Sequence, residues 1–204
     1  MQFEKKLISD GKYLFKYRGH IPIILFLISI PIISETSYYN IYNINLVFLI
    51  QCLGVITSVI GLLLRYYTVG TTTEGTSGKN RNKQVAKHLN TKGAYSVVRN
   101  PLYLGNYMIW LGLSIFSISY ILIIITTLLF TIHYERIILS EENFLLAKFK
   151  NKYEKFAQEV PIFFPKFQNF KHSNIQLSIK RILKEEHSPT LTTILSFIYI
   201  FLEK

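Results

Sequence analysis

Three long apolar runs constrain this chain more than any other feature of its sequence. They cover residues 21–34, 44–64 and 102–132 and are nearly free of charged side chains. A bilayer core requires about 20 consecutive apolar residues in a helix, because lipid offers no partners to backbone polar groups. The runs therefore predict an all-α, multi-pass integral membrane protein, with residues 1–204 forming a single membrane-embedded helical domain.

Basic residues are distributed unevenly around these runs. Residues 1–19 contain five Lys or Arg, residues 65–100 contain seven and residues 135–187 contain ten, whereas the 34–43 connection contains none. By the positive-inside rule, the N-terminus and both long polar stretches are cytoplasmic and the 34–43 connection is outside, with Tyr38, Tyr39 and Tyr42 in the interfacial belt. Such cytoplasmic flanks account for the net charge of +11 without a nucleic-acid partner.

The third run is too long for one crossing. Its 31 residues would reach about 46 Å as one helix, against a hydrocarbon core of roughly 30 Å. Since both flanks are basic, an even number of crossings is favoured, and we expect a helical hairpin that turns near residues 117–120. The bundle then has about four transmembrane helices, the third and fourth forming the hairpin; one long tilted helix is the alternative.

Two further helices are expected after the hairpin. Apolar residues at 144, 145, 149, 153 and 156 predict one cytoplasmic amphipathic helix over 139–159, which the extended sequence "VPIFFP" ends. Residues 191–202 are apolar but short, and predict an interfacial or re-entrant helix in a C-terminal tail of residues 166–204.

Polar residues that could carry chemistry gather in three places. Residues 68–84, rich in Gly, Thr and Ser, match no phosphate-binding motif and are typical of a flexible loop or a lid. Arg99 and Tyr103 flank Pro101, where a helix can begin and present its amides to an anion; a membrane anchor explains them equally well. The "HYERIILSEENF" segment places ionisable residues beside an apolar run, where they mark function or salt-bridge on a helix surface.

The sequence lacks the patterns of other catalytic classes. The five histidines are scattered without an HExxH motif, and no acidic pair has metal-ligand spacing, so we expect no bound metal. Cys52 is the single cysteine and is expected to be an inert buried thiol. The remaining chemistry is the positioning of two bound molecules.

Several blocks in order resemble one family. "LNTKGAYSVVRNPLYLGNYMIWLG", then "ERIILSEENFLLAKFKNKYEKF", then "VPIFFP" resemble the isoprenylcysteine carboxyl methyltransferase and phospholipid methyltransferase superfamily of integral membrane methyltransferases. The family pattern is Leu-x-Thr-x-Gly-x-Tyr, Arg-His-Pro-x-Tyr-x-Gly, a Glu-Glu pair, Phe-Gly-x-x-Tyr and a Val-Pro elbow. Residues 84–165 would then be the motif-bearing catalytic part.

The resemblance implies S-adenosylmethionine as cofactor, bound on the cytoplasmic side. It implies that Arg136 orients an anionic acceptor, while Glu141 and Glu142 contact the amino-acid end of the cofactor or act as a base. The implied cofactor-binding residues include Arg99, which precedes the helix that can begin at Pro101. The full set is Gln84, His88, Leu89, Tyr95, Arg99, Asn100, Pro101, Tyr103, Gly105 and Glu141.

The chain departs from the family pattern at three positions. Asn100 replaces the histidine of Arg-His-Pro, and Asn can still donate and accept hydrogen bonds. His88 is shifted by one position from the family's His-x-Leu, and Lys150 stands where Phe-Gly has its glycine.

The resemblance implies methyl transfer to a lipidic acceptor taken from the bilayer. The acceptor group could be a prenylcysteine-type carboxylate, a phospholipid amine or a lipid A phosphate. The matching motifs do not decide among them, because they belong to the part of the family domain that binds the cofactor. An NADPH-dependent reductase of the sterol type and a non-catalytic membrane adaptor are the alternatives from other classes.

Overall fold

The computed structural model describes residues 2–35, 43–73 and 84–203. These residues form helices and no strands, which confirms the all-α prediction. The α-helices are α1 (Gln2–Tyr17), α2 (Ile21–Glu35), α3 (Ile44–Gly70), α4 (Pro101–Phe116), α5 (Tyr120–Phe149), α6 (Asn151–Glu159) and α7 (Ile179–Leu202).

Two of these helices are long and apolar enough to cross a membrane on their own. They are α3 and α5, and a third span is possible if the bent pair of α1 and α2 counts as one. The 16 residues of α4 reach roughly 24 Å, which is short of a full crossing. The described helices thus form a membrane bundle with spans of unequal length.

The predicted hairpin is present. Between the end of α4 and the start of α5 lie three residues, of which Ser119 accepts a hydrogen bond from the Leu122 amide at 3.3 Å. The two arms run antiparallel, since the hydroxyl of Ser114 lies 2.8 Å from that of Thr126 and the hydroxyl of Tyr107 lies 3.2 Å from that of Thr127. The single-helix alternative for residues 102–132 is wrong.

Helices α3 and α4 cross at close range through glycines. A Cβ on Gly61 would lie 2.7 Å from the Gly105 carbonyl oxygen, and one on Gly112 would lie 2.4 Å from that of Gly54. Small residues allow such backbone approach in membranes, where hydrophobic burial does not drive helices together. Ser58 adds a buried hydrogen bond across the crossing, to the Ile109 carbonyl at 3.0 Å.

The single amphipathic helix expected over 139–159 is a wrong prediction. Its first half continues α5 to Phe149, and α6 begins at Asn151 after a break at Lys150, which has φ 47° and ψ −130°. This backbone region favours glycine, and the family pattern has glycine at this position. The apolar spacing was helical on both sides of the break, so periodicity did not reveal it.

The expected short helix over 191–202 is also longer than predicted. It is the second half of α7, which has 24 residues and accommodates Pro189. The start of α7 is tied to the end of α3, because the Ser178 amide donates to the Gly70 carbonyl at 3.0 Å and Arg181 donates to the Thr72 carbonyl. These contacts join residues far apart in sequence, so the apolar run alone did not reveal the full length of α7.

The basic N-terminal flank forms a helix that the sequence analysis did not predict. Gly11 of α1 lies against α5, where a Cβ would be 1.9 Å from the Arg136 carbonyl oxygen, and Phe15 is buried against aromatic residues of α5.

Two expectations lie outside the described residues. They are the tyrosine belt at residues 38, 39 and 42, and residues 74–83 of the loop or lid.

We predict that Lys150→Gly stabilises the protein by about 1 kcal/mol, because a non-glycine residue in such backbone conformations costs roughly 1–3 kcal/mol. Thermal unfolding in detergent, followed by circular dichroism, measures the change. Lys155→Gly is the matched control: this exposed residue inside α6 should lose up to about 1 kcal/mol. If both variants lose stability equally, the strain at Lys150 is refuted.

Candidate active site: a layered cavity

A large cavity of about 1490 Å³ lies between the helices. Its walls come from α2, α4, α5, α6 and α7, from the ends of α1 and α3, and from the segment that precedes α4. Pockets for one small molecule usually occupy roughly 300–1,000 Å³. The volume is thus sufficient for two ligands side by side.

One end of the cavity carries four polar side chains that we call the head cluster: Arg99, Tyr103, Glu141 and Glu142. The Tyr103 hydroxyl donates to Oε2 of Glu141 at 2.8 Å, and Nη1 of Arg99 lies 3.3 Å from Oε1 of Glu142. Tyr153 of α6 also contacts Glu142 and Arg99. Burial, and then the neighbouring Glu142 carboxylate, raise the pKa of the Tyr153 phenol, so it stays protonated as a donor.

The backbone before α4 holds this cluster in place. Pro101 is the first residue of α4, as the Asn-Pro sequence predicted, and the Arg99 amide donates to the Pro161 carbonyl at 2.9 Å. Asn100 does not cap the helix; its side-chain amide donates to the Ile162 carbonyl at 3.2 Å. The "VPIFFP" segment therefore acts as a backbone partner that fixes where α4 starts.

Two atoms of the head cluster are buried without an aligned hydrogen bond. They are Nε of Arg99 and Oε1 of Glu142; Oε1 lies 3.3 Å from Nη1 of Arg99, within ion-pair distance but without hydrogen-bond geometry among the described residues. Buried polar atoms are rarely left so, because each costs about 1–3 kcal/mol. Arg99 and Glu142 both line the cavity, so their side chains are candidates for contact with a ligand that has both a donor and an acceptor.

A second polar group, the inner cluster, consists of Arg65, Asn106, Tyr134 and Glu186. Arg65 of α3 donates from Nε and Nη2 to the two carboxylate oxygens of Glu186, at 2.7 and 2.9 Å, and from Nη1 to the Asn106 side-chain oxygen. Asn106 in turn donates to the Tyr134 hydroxyl at 3.2 Å. The cluster joins four helices, and the Arg65 and Glu186 side chains are only 13% and 4% exposed.

Beyond the inner cluster the cavity becomes apolar. Ile33, Leu122 and Ile200 are buried together with Leu113 packed against them, and all four line the cavity. These residues, which we call the apolar end, belong to α2, α4, α5 and α7. The cavity therefore passes from charged to apolar along the hairpin.

The structure brings together most of the residues that the sequence analysis selected. Those lining the cavity are Gln84, His88, Leu89, Tyr95, Arg99, Asn100, Tyr103, Glu141 and Glu142. Gln84 additionally donates to the buried Ser140 hydroxyl at 3.1 Å.

Three residues that the sequence analysis selected for the site are not among the residues that line the cavity. Pro101 is buried at the start of α4. Gly105 lies at the α3–α4 crossing, where a Cβ would be 2.6 Å from Cγ of Arg65. Arg136 lies where α1 packs on α5, with Nη1 3.5 Å from the Ile132 carbonyl. The structure thus gives Gly105 a packing role and does not bring Arg136 to the other site residues.

Sequence reasoning missed the inner cluster. Arg65 is the charge that ends the second apolar run, and Glu186 stands in a charged stretch near the C-terminus. An ionisable residue at membrane depth is a signal of function, but its partner 121 positions away was not readable from the sequence. In the described residues no group of three or more His, Cys, Asp or Glu side chains is placed to hold a metal ion.

Comparison with known proteins adds a family and two relatives. The sequence model of the phospholipid methyltransferase family matches residues 49–152, about half of the chain. The nickel-cobalt-cadmium resistance protein NccN of Alcaligenes xylosoxydans xylosoxydans is 33% identical over 87 residues, covering 43% of this chain and 40% of that protein. The cobalt-zinc-cadmium resistance protein CzcN of Cupriavidus metallidurans is 32% identical over 95 residues, covering 47% and 41% respectively.

The chain therefore matches about two fifths of the length of each of these relatives. No solved structure matches it. The family match covers α3, α4 and α5 but neither α1, α2 nor α7.

We predict that Tyr103→Phe costs more stability than Tyr107→Phe. Tyr103 donates to a buried carboxylate, a class of bond worth roughly 1.5–3 kcal/mol, whereas Tyr107 pairs with the neutral Thr127 hydroxyl at 3.2 Å, worth roughly 0.5–1.5 kcal/mol. Thermal unfolding of both variants in the same detergent tests this order. Equal losses would show that the Tyr103–Glu141 contact is not charge-assisted.

Proposed function

Because the chain belongs to the phospholipid methyltransferase family, we propose that it transfers a methyl group from S-adenosylmethionine to a lipidic acceptor in the membrane. The family match and the two long apolar helices support a membrane methyltransferase. The methyl donor, the acceptor and the orientation in the membrane are the parts we propose.

The head cluster is the observation that carries the choice of donor. The amino-acid end of S-adenosylmethionine has an ammonium group and a carboxylate, and the cluster offers two carboxylates beside one guanidinium. Arg99 and Glu142 line the cavity and would supply the donor and the acceptor that such a zwitterion needs. Arg99 would bind the carboxylate, and Glu141 or Glu142 the ammonium.

When bound, S-adenosylmethionine supplies an electrophilic methyl group on a sulfonium. The residues here have to hold two molecules in line rather than move a proton, and correct positioning at about 3–3.5 Å can supply much of the rate. Tyr103 fixes the Glu141 carboxylate and Tyr153 supports Glu142, so the carboxylates are oriented before a ligand arrives. The helical walls keep the reacting atoms away from bulk water.

The charge pattern of the sequence supports a cytoplasmic head cluster. Residues 1–19, 65–100 and 135–187 are basic; Arg99 of the head cluster lies within the second of these stretches, and Glu141 and Glu142 lie within the third. The apolar end then lies within the bilayer, so a lipid can reach the cavity from the side.

We predict that Glu142→Gln weakens S-adenosylmethionine binding about tenfold or more, because the loss of a charged contact worth 1.4 kcal/mol reduces affinity tenfold. Equilibrium binding of methyl-labelled S-adenosylmethionine to purified protein in detergent measures the change. Glu154→Gln, an exposed carboxylate of α6, should bind as the unaltered protein does.

The same measurement separates the proposal from its alternatives. Binding of NADPH without binding of S-adenosylmethionine would contradict the methyltransferase and favour a reductase. Binding of neither would favour a non-catalytic membrane protein. Incubation with labelled donor and total lipid extract should yield a labelled lipid.

A further inference from the structure

The proposed function places the donor at the head cluster and leaves the inner cluster and the apolar end without an assigned role. They form the deeper part of the cavity, they include a charged side chain from α3, and α7 contributes to their wall. Polar groups at one end and four apolar side chains at the other match the two ends of an amphiphile. We infer that this part of the cavity is the acceptor site, that Arg65 binds the head of the acceptor, and that this head is an oxyanion.

The first observation is the number of N–H groups on Arg65 that are free to bind an acceptor. A guanidinium has five N–H groups in a fixed fork. Three of them are used by the two Glu186 oxygens and the Asn106 oxygen, so within the described residues one N–H on Nη1 and one on Nη2 remain. A forked pair of donors suits a carboxylate or a phosphate.

The carboxylates of the cavity point the same way. Both oxygens of Glu186 accept from Arg65, and Glu185, which also lines the cavity, accepts from Arg181 at 3.3 Å. Glu141 accepts from Tyr103, Glu142 pairs with Arg99, and both are assigned to the ammonium of S-adenosylmethionine. An ammonium acceptor would have to lose a proton before methylation, and these carboxylates are already engaged by arginines or assigned to the donor. An oxyanion needs no base, so the cluster as built serves it better than an amine.

The position of the cluster fits methyl transfer. Asn106 follows Tyr103 by one turn of α4, so the head of an acceptor at Arg65 lies next to a donor at the head cluster. A lone pair of the oxyanion forms the new O–CH₃ bond while the C–S bond of the sulfonium breaks, and the electron pair of that bond stays on sulfur. No proton moves, and no further reactant is required.

The apolar end would hold the hydrocarbon chain of the acceptor. Ile33, Leu113, Leu122 and Ile200 line the cavity beyond the inner cluster, with Trp110 also on its wall. Ile33 of α2 and Glu186 and Ile200 of α7 lie outside the family match, whereas Arg65 and Asn106 lie within it. The acceptor is therefore a long-chain amphiphile whose nucleophile is a carboxylate or a phosphate; this identification rests on the proposed methyl transfer.

The single tryptophan provides a binding readout that does not depend on turnover. Trp110 is the only tryptophan of the chain and lines the cavity, so a bromine atom on the chain of a bound amphiphile should quench its fluorescence. We would titrate three probes of equal chain length in detergent: a brominated long-chain carboxylate, the matching phosphate monoester and the matching primary amine. The carboxylate, the phosphate or both should quench saturably, at least tenfold more tightly than the amine.

Two variants test Arg65 itself. Arg65→Lys keeps the charge but loses the fork, and Arg65→Gln with Glu186→Gln removes both charges without leaving one buried. Each should weaken oxyanion binding about tenfold, the equivalent of 1.4 kcal/mol, while S-adenosylmethionine affinity stays within about twofold. Lys180→Gln, which removes one exposed charge from α7 outside the cavity wall, should change neither.

Three outcomes would overturn the assignment. They are tighter binding of the amine, saturable quenching by none of the probes, and oxyanion affinity unchanged in both Arg65 variants. Failure of the proposed function looks different, since S-adenosylmethionine would then not bind while the oxyanion probes still quench Trp110. If labelled methyl groups appear only on amine lipids, the methyltransferase stands and the oxyanion acceptor is wrong.

Discussion

The close crossing of α3 and α4 is the contact on which the cavity depends. Gly54, Gly61, Gly105 and Gly112 bring the two backbones together, since a side chain at any of these positions would lie within 3.0 Å of an atom of the other helix. Gly105 also leaves room for the stem of Arg65, whose Cγ would be 2.6 Å from a Cβ there. The crossing therefore places the α3 guanidinium beside Asn106 of α4, and from there it reaches α7.

Charged side chains then determine how the remaining helices gather around this pair. A lone charge at membrane depth is costly, and each acid of the cavity described above lies against a donor from another element. Glu186 draws α7 to α3, and Glu141 and Glu142 of α5 meet Tyr103 and Arg99 at the start of α4. Removing one partner of such a pair leaves the other buried without compensation, so we expect substitutions at these residues to lower stability as well as ligand binding.

Much of this arrangement could be predicted from the sequence, because it depends on local rules. The apolar runs predicted α3 and the hairpin of α4 and α5, and Asn100–Pro101 predicted the start of α4. About four transmembrane helices were expected, whereas the described residues contain two or three candidate spans. The ordered motifs predicted the residues of the head cluster. Lys150 was missed because apolar periodicity is the same on both sides of a one-residue break, and the role of Arg65 was missed because its partner, Glu186, is 121 residues away.

The case of Arg136 shows where transfer by resemblance reaches its limit. The family pattern placed it opposite an anionic acceptor, whereas α1, which that pattern does not cover, packs on α5 at this residue. The anion-binding role falls instead to Arg65 in our account. A residue role carried over from a motif therefore needs the packing of this chain's own helices beside it.

The central claim is that one cavity holds donor and acceptor in adjacent, separate layers. The most direct measurement is quenching of Trp110 by a brominated long-chain oxyanion, carboxylate or phosphate monoester, with and without saturating S-adenosylhomocysteine, the demethylated form of the donor. The account predicts that the two bind together, with the affinity of the probe changed by less than about threefold. Mutual exclusion, with the apparent affinity falling in proportion to the S-adenosylhomocysteine added, would contradict it.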